Sequence, residues 1–203
     1  MLNNPLRYVD PDGLYEYEAE LLGKKIKVFI SDSISKKERG QIETKINDAI
    51  SLINNAADKL TAKQKDIIGN INKINVSDRI NRSYTIETTG TYNVVKSDIL
   101  YSASRPDHPS AAWFASTIAH EGYHVELYKL SHGDLSKSRG LEAEKASNKL
   151  QRQVGEKIGL AQYEIDYLKV LENNPGTRYK EPITKPPNTQ PRERPRKPTK
   201  RSP

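Results

Sequence analysis

Charge and proline are concentrated at one end of this chain of 203 residues, and this limits which part of it can fold. Residues 175–203 contain eight of the 12 prolines, nine Lys or Arg residues and two Asp or Glu residues. They carry the whole net charge of +7, because residues 1–174 hold 24 basic and 24 acidic residues. A segment with so few apolar side chains cannot bury enough surface to offset its chain entropy. We therefore predict a neutral folded body and a disordered, basic, proline-rich tail at residues 173–203.

Composition excludes several kinds of site. The chain has no cysteine, which excludes disulfides, thiolate zinc sites and cysteine nucleophiles. No apolar run approaches the roughly 20 residues that a membrane-spanning helix needs. The basic tail could contact nucleic acid or an anionic membrane, but the neutral charge of the body argues against a nucleic-acid-binding fold. Metal binding is left to the four His residues and the carboxylates.

Apolar periodicity predicts an α+β body. Residues 26–30 alternate and are rich in β-branched side chains, which is typical of a strand. After an N-cap at Ser33 or Ser35, isoleucines recur at helical spacing up to about residue 57. Further helices are predicted at about 61–72, 110–130, 139–158 and 161–172, and short strands at 84–88, 92–95 and 98–101. The predicted fold is mostly helical, with a short antiparallel or mixed sheet.

The helix predicted at 110–130 contains an HExxH motif at residues 120–124. His120 and His124 are separated by one helical turn, so both imidazoles can reach one cation at about 2.0–2.1 Å. Glu121 is rotated off that axis and is suited to hold a water molecule and take its proton. Gly122 is unfavourable inside a helix by about 1 kcal/mol relative to Ala, and we interpret it as leaving room beside the metal face.

The motif resembles that of zincin metallopeptidases, although Glu126 stands where many members have an apolar residue. A catalytic zinc needs a third protein ligand. His108 and His132 only flank the helix, whereas the next helix offers Glu142 and Glu144, which periodicity alone does not separate. In gluzincin-like enzymes the third ligand is a Glu followed by small residues, and this resemblance favours Glu144, with Glu142 as the alternative.

The same resemblance implies two accessory features. Substrate would bind as an added strand along a sheet edge, which we predict within residues 92–101. A side chain that stabilises the oxyanion is also expected, and four tyrosines remain open for that role, namely Tyr101, Tyr123, Tyr128 and Tyr163.

Residues 5–14 read PLRYVDPDGL, which local sequence rules describe only as a short strand between turns. The string resembles the PxxxxDPxGL signature that closes the Rhs (rearrangement hotspot) core of bacterial polymorphic toxins, and every specified position matches. In that family, cleavage after the final Leu frees a C-terminal toxin domain. The resemblance implies that residues 1–14 end an Rhs core with Leu14 as the cleavage junction, and that residues 15–172 form the toxin domain.

These observations lead to one hypothesis and two alternatives. The chain is expected to be a delivered effector and zinc-dependent peptidase that acts on a protein of the target cell and has a cognate immunity protein. One zinc ion per chain would be held by His120, His124 and Glu144, with Glu121 as the catalytic acid and base. The alternatives are a nucleic-acid-directed toxin or binding protein that uses the tail, and a zinc hydrolase acting on a non-peptide amide.

Overall fold

A computed structural model of the chain describes residues 8–9, 14–100 and 110–175. The basic tail beyond residue 175, most of the 5–14 motif, His108 and Tyr101 lie outside the described residues. The fold is α+β, as the sequence predicts.

The described strands form one mixed sheet. They are β1 (Tyr8–Val9), β2 (Leu14–Leu21), β3 (Lys24–Ser31), β4 (Lys73–Ser77), β5 (Tyr84–Ile86) and β6 (Thr91–Val95), in the order β1-β2-β3-β4-β6-β5. Strands β3, β4 and β6 are parallel, whereas β2 pairs antiparallel with β3 and β5 antiparallel with β6. Leu14, the predicted cleavage junction, is the first residue of β2 and pairs with Ser31.

Seven helices lie within the described part of the chain. They are α1 (Lys36–Asn55), α2 (Ala62–Ile68), α3 (Lys96–Leu100), α4 (Ala111–Leu130), α5 (Leu135–Arg139), α6 (Leu141–Ile158) and α7 (Gln162–Asn173). The hydroxyl of Ser35 caps α1 and that of Ser110 caps α4, each accepting from a backbone N–H three residues later. No described helix is both long and apolar enough to cross a membrane.

The helix that carries the HExxH motif is the centre of the fold. Helix α4 packs against α1, α2 and α6, and Phe114 stacks on Tyr92 of β6 with ring centroids 6.1 Å apart. Ala115, Ile118 and Ala119 are completely buried. Burial on several sides explains why this helix is apolar nearly all round, and it fixes the motif relative to the sheet.

The structure differs from the sequence prediction around the sheet. The strand predicted at 98–101 is wrong for residues 98–100, because residues 96–100 form helix α3, in which Ile99 is buried in the core and Asp98 accepts a hydrogen bond from Ser83. The sequence analysis does not predict strands β2 and β4, although β2 alternates Glu with Tyr, Ala or Leu from Tyr15 to Leu21. The prediction that 92–101 supplies a free sheet edge is also wrong, since β6 is paired on both sides and β5 is the terminal strand.

Candidate metal centre

The two histidines of α4 converge on one point. Nε2 of His120 lies 3.1 Å from Nε2 of His124. Nδ1 of His124 donates to the backbone carbonyl of Ser138 at 2.5 Å. Because a carbonyl can only accept, neutral His124 carries its proton on Nδ1, and the lone pair of Nε2 is available to a cation.

Helix α6 brings a carboxylate to the same point. Oε2 of Glu144 lies 3.5 Å from Nε2 of His120, and Oε1 lies 3.5 Å from Nε2 of His124. Glu142, the alternative ligand, is exposed and stays outside this cluster of His120, His124 and Glu144. Of the two candidate carboxylates, the structure therefore brings only Glu144 to the histidines.

The spacing of the three ligand atoms suits a tetrahedral ion. Bonds of about 2.0–2.1 Å at tetrahedral angles separate neighbouring ligand atoms by about 3.3–3.4 Å, and the separations here are 3.1, 3.5 and 3.5 Å. Two imidazoles and one Glu are also a ligand set that catalytic zinc uses. The side chain of Glu144 is 38% exposed, so solvent reaches the cluster. The residues present therefore fit one zinc ion.

The electrostatics of the cluster favour positive charge. Burial lowers the pKa of His120, but its hydrogen bond with Glu144 and the charges of Glu121 and Glu144 outweigh burial, so that this pKa lies above its ordinary value. Burial raises the pKa of Glu144, but the hydrogen bond with His120 and the charges of His120 and His124 together outweigh burial, so the net shift is downward. Both directions indicate a site that stabilises a cation, whether the charge comes from a proton or a metal ion.

Glu121 is held beside the cluster by β5, one of the two terminal strands of the described sheet. The hydroxyl of Thr85 on β5 donates to Oε2 of Glu121 at 2.6 Å. Thr85 is buried, with 5% of its surface exposed, so this contact is largely shielded from water. A carboxylate anchored through one oxygen keeps the other, Oε1, for exchange of a proton.

Gly122 has a different role from the one predicted. A Cβ atom there would lie 2.3 Å from the carbonyl oxygen of Ile67, at the end of α2. The absence of a side chain at Gly122 therefore allows the end of α2 to pack closely against α4. The space is taken up by α2 and does not lie open beside the histidines. The buried side chain of Asn70 bridges the two helices at this contact, because its Nδ2 donates to the Gly122 carbonyl at 3.3 Å and to Oε2 of Glu126 at 3.1 Å.

Glu126 also bonds to Lys63, and Lys129 donates to Oδ1 of Asn70 at 2.7 Å. These contacts explain a charged residue at a position where an apolar one was expected, because Glu126 belongs to a polar network that joins α2 to α4.

The other residues singled out from the sequence lie elsewhere. His132 is exposed in the turn after α4, with a left-handed backbone at φ 54°. Of the tyrosines considered as oxyanion donors, Tyr123 packs against the core, Tyr128 is half-buried and Tyr163 is exposed on α7.

Three residues of the site escaped the sequence analysis, namely Thr85, Ser138 and Arg139. Thr85 contacts Glu121 and Arg139 contacts Glu87 across elements that are far apart in the chain, and Ser138 contributes only its backbone carbonyl, so no local motif marks them. Only the strand order, with β5 beside α4, could have drawn attention to Thr85.

Comparison with known protein families, with curated proteins and with solved structures finds no match to this chain. The α+β architecture and the geometry around His120, His124 and Glu144 are therefore the basis on which a function can be assigned.

Proposed function

We propose that this protein is a zinc-dependent peptidase with one zinc ion per chain, held by His120, His124 and Glu144. The observation that carries the proposal is the convergence of two imidazole nitrogens and one carboxylate at tetrahedral spacing, with Glu121 anchored beside them. The chemistry that zinc supplies in such a site is activation of water, whose pKa falls to about 7.

The residues of the chain would then move the proton. Oε1 of Glu121 takes a proton from the attacking water as the new C–O bond forms. The same carboxyl group gives that proton to the leaving nitrogen as the C–N bond breaks. Thr85 keeps Oε2 occupied and thereby orients the carboxylate for both transfers.

The terminal strand β5 supports a peptide as the substrate. One edge of β5 pairs with β6, and no other described strand pairs with it. An extended polypeptide can add to such an edge through main-chain hydrogen bonds. Thr85 lies in the middle of β5 and contacts Glu121, so a chain bound along this edge would pass next to the catalytic carboxylate.

The biological setting we propose is a toxin effector. It rests on the resemblance of residues 5–14 to the Rhs junction, and it includes an upstream Rhs core, a protein substrate in the target cell and a cognate immunity protein.

Replacement of Glu121 by Gln tests the mechanism. The amide keeps the shape of the side chain but cannot take a proton, so we expect zinc content to stay at one per chain while hydrolysis falls by roughly 100-fold or more. The full chain should be expressed in a bacterial host, with growth and the appearance of new protein N-termini measured by mass spectrometry. Glu142→Gln, the same chemical change on an exposed residue of α6, is the matched control and should behave as the wild type.

The outcomes separate the hypotheses. A Glu121→Gln variant that is as toxic as the wild type contradicts the mechanism. Toxicity that depends on Glu121 without any new protein N-termini would favour a zinc hydrolase acting on a non-peptide amide. Loss of toxicity on deletion of residues 176–203, with zinc retained, would assign targeting to the basic tail.

A further inference from the structure

An ion pair between Glu87 and Arg139 joins two parts of the chain that touch the metal centre, with the carboxylate buried and the Arg139 side chain 54% exposed. Glu87 follows β5 and is 4% exposed, and both of its oxygens accept from Arg139 at the end of α5. Nε of Arg139 donates to Oε1 and Nη2 to Oε2, each at 2.6 Å. Nη2 also approaches the backbone carbonyl of Thr85 at 3.3 Å. This two-pronged geometry fixes direction as well as distance.

On one side of this ion pair lies the general base. Thr85 belongs to the three-residue strand β5, which pairs on one edge only among the described strands. The Thr85 hydroxyl holds Glu121, so the position of that carboxylate depends on where β5 lies. Arg139 donates to this region at two points, the backbone carbonyl of Thr85 in β5 and the side chain of Glu87 just beyond the strand.

On the other side lies a metal ligand. Ser138 immediately precedes Arg139, and its carbonyl accepts from Nδ1 of His124. Helix α5 is a single short turn of five residues that is capped by Asp134 and packs against α4 and α6. The Arg139–Glu87 ion pair ties the end of α5 to the segment that follows β5, one residue from the carbonyl that accepts from His124.

We infer that the Arg139–Glu87 ion pair is the positioning device of this site, fixing the imidazole of His124 through Ser138 and the carboxylate of Glu121 through Thr85. Neither residue of the pair is among the candidate ligands, so both act through their neighbours. The expected effect of this pair on zinc affinity rests on the proposed function, whereas its expected effect on the tautomer of His124 applies to the metal-free chain as well.

A second arginine provides a matched control. Arg152 on α6 forms the same kind of two-pronged pair with Glu172 on α7, through Nε to Oε1 at 2.5 Å and Nη2 to Oε2 at 3.3 Å. This pair joins two helices, and Arg152 also donates to Glu156 at 2.8 Å; neither partner is a residue of the metal centre. Arg152→Gln therefore removes a comparable ion pair without touching the proposed positioning device.

The test compares Arg139→Gln, Arg139→Lys, Glu87→Gln, the Arg139→Gln/Glu87→Gln double variant and Arg152→Gln in the full chain. The first readout is the tautomer of His124 in the metal-free protein, from two-bond ¹⁵N correlations of labelled histidine at a pH where the ring is neutral. The second is zinc affinity, from competition with a chromophoric chelator. Loss of groups that orient a ligand typically costs 10–100-fold in metal affinity.

We expect the wild type and Arg152→Gln to show the Nδ1–H tautomer of His124 and equal zinc affinity. Arg139→Gln and Glu87→Gln should each give a mixture of tautomers at His124 but not at His120, together with a loss of zinc affinity of about 10-fold. The double variant should lose no more than either single variant, since each removes the same pair. Arg139→Lys keeps the charge without the fork and should fall between the wild type and Arg139→Gln.

An unchanged His124 tautomer in Arg139→Gln or Arg139→Lys overturns the inference, and so does an equal loss of zinc affinity in Arg152→Gln. Failure of the wild type to bind zinc would instead contradict the proposed function, and the tautomer comparison would still decide the inference. If Arg139→Gln does not fold, the Arg139→Lys variant supplies the same two readouts.

Discussion

Replacement of His124 by Ala should reduce zinc affinity by roughly 100- to 1,000-fold and leave most of the chain folded. The reason is that the binding free energy of zinc in a closed four-ligand site is about 10–16 kcal/mol in total, or roughly 2.5–4 kcal/mol for each ligand. His120→Ala should have a similar effect, because the two Nε2 atoms lie 3.1 Å apart and share one point of convergence. The measurement is chelator competition on the purified full chain, with circular dichroism to verify that the helices persist.

The third ligand can be tested in the same assay with a matched pair on one helix. Glu144→Gln should weaken zinc binding by a comparable factor, because the carboxylate lies 3.5 Å from each histidine nitrogen. Glu142→Gln removes the same charge two residues earlier from an exposed position and should change affinity by less than about threefold, a long-range charge effect only. Equal losses in the two variants would contradict the assignment of Glu144 as a ligand.

The Gly122→Ala variant should be destabilised by about 1–3 kcal/mol, in spite of the higher helix propensity of Ala. The added methyl group would lie 2.3 Å from the Ile67 carbonyl oxygen, and that carbonyl belongs to the backbone at the end of α2. Asn70 ties the two helices together at the same place, so neither can withdraw easily. Because His120 and His124 lie on either side of Gly122, displacement of α4 should also weaken zinc binding. Chemical denaturation of the metal-free protein measures the first effect and chelator competition the second.

Gly40→Ala is the internal comparison for that experiment. Gly40 lies inside α1, is exposed, and has open space where a Cβ would be. Its replacement by Ala should stabilise the chain by up to about 1 kcal/mol, as helix propensity alone predicts. The two substitutions are thus expected to have opposite signs. A Gly122→Ala variant as stable as Gly40→Ala would show that α2 does not press against α4.

The elements that the sequence predicted well are those defined by a local pattern. Helix α1 follows the isoleucine spacing and its Ser35 cap, and α4 and α6 begin and end within about two residues of the predicted bounds. The HExxH motif fixed the spacing of His120 and His124 because both lie on one helix. The sheet was predicted less accurately. Residues 98–101 have a strand-like sequence pattern, but Ile99 reaches the core from helix α3.

What the sequence could not supply is the pairing of elements that are distant along the chain. Glu142 and Glu144 are equivalent by periodicity, and only the packing of α6 on α4 separates them. The interpretation of Gly122 as leaving room beside the metal face is wrong for the same reason, because nothing near it along the chain indicates that α2 packs there. Thr85 gains its contact from the order of the sheet, and Arg139 gains its contacts from the place of helix α5 beside β5.

The most direct test of the metal centre is zinc K-edge X-ray absorption of the full chain loaded with one equivalent of zinc. The account predicts zinc that survives dialysis, surrounded by two imidazole nitrogens and oxygen ligands at about 2.0–2.1 Å, with the imidazole signal lost in the His120→Ala/His124→Ala variant. Zinc that is removed by dialysis, or a coordination shell that is unchanged in the double variant, would contradict it.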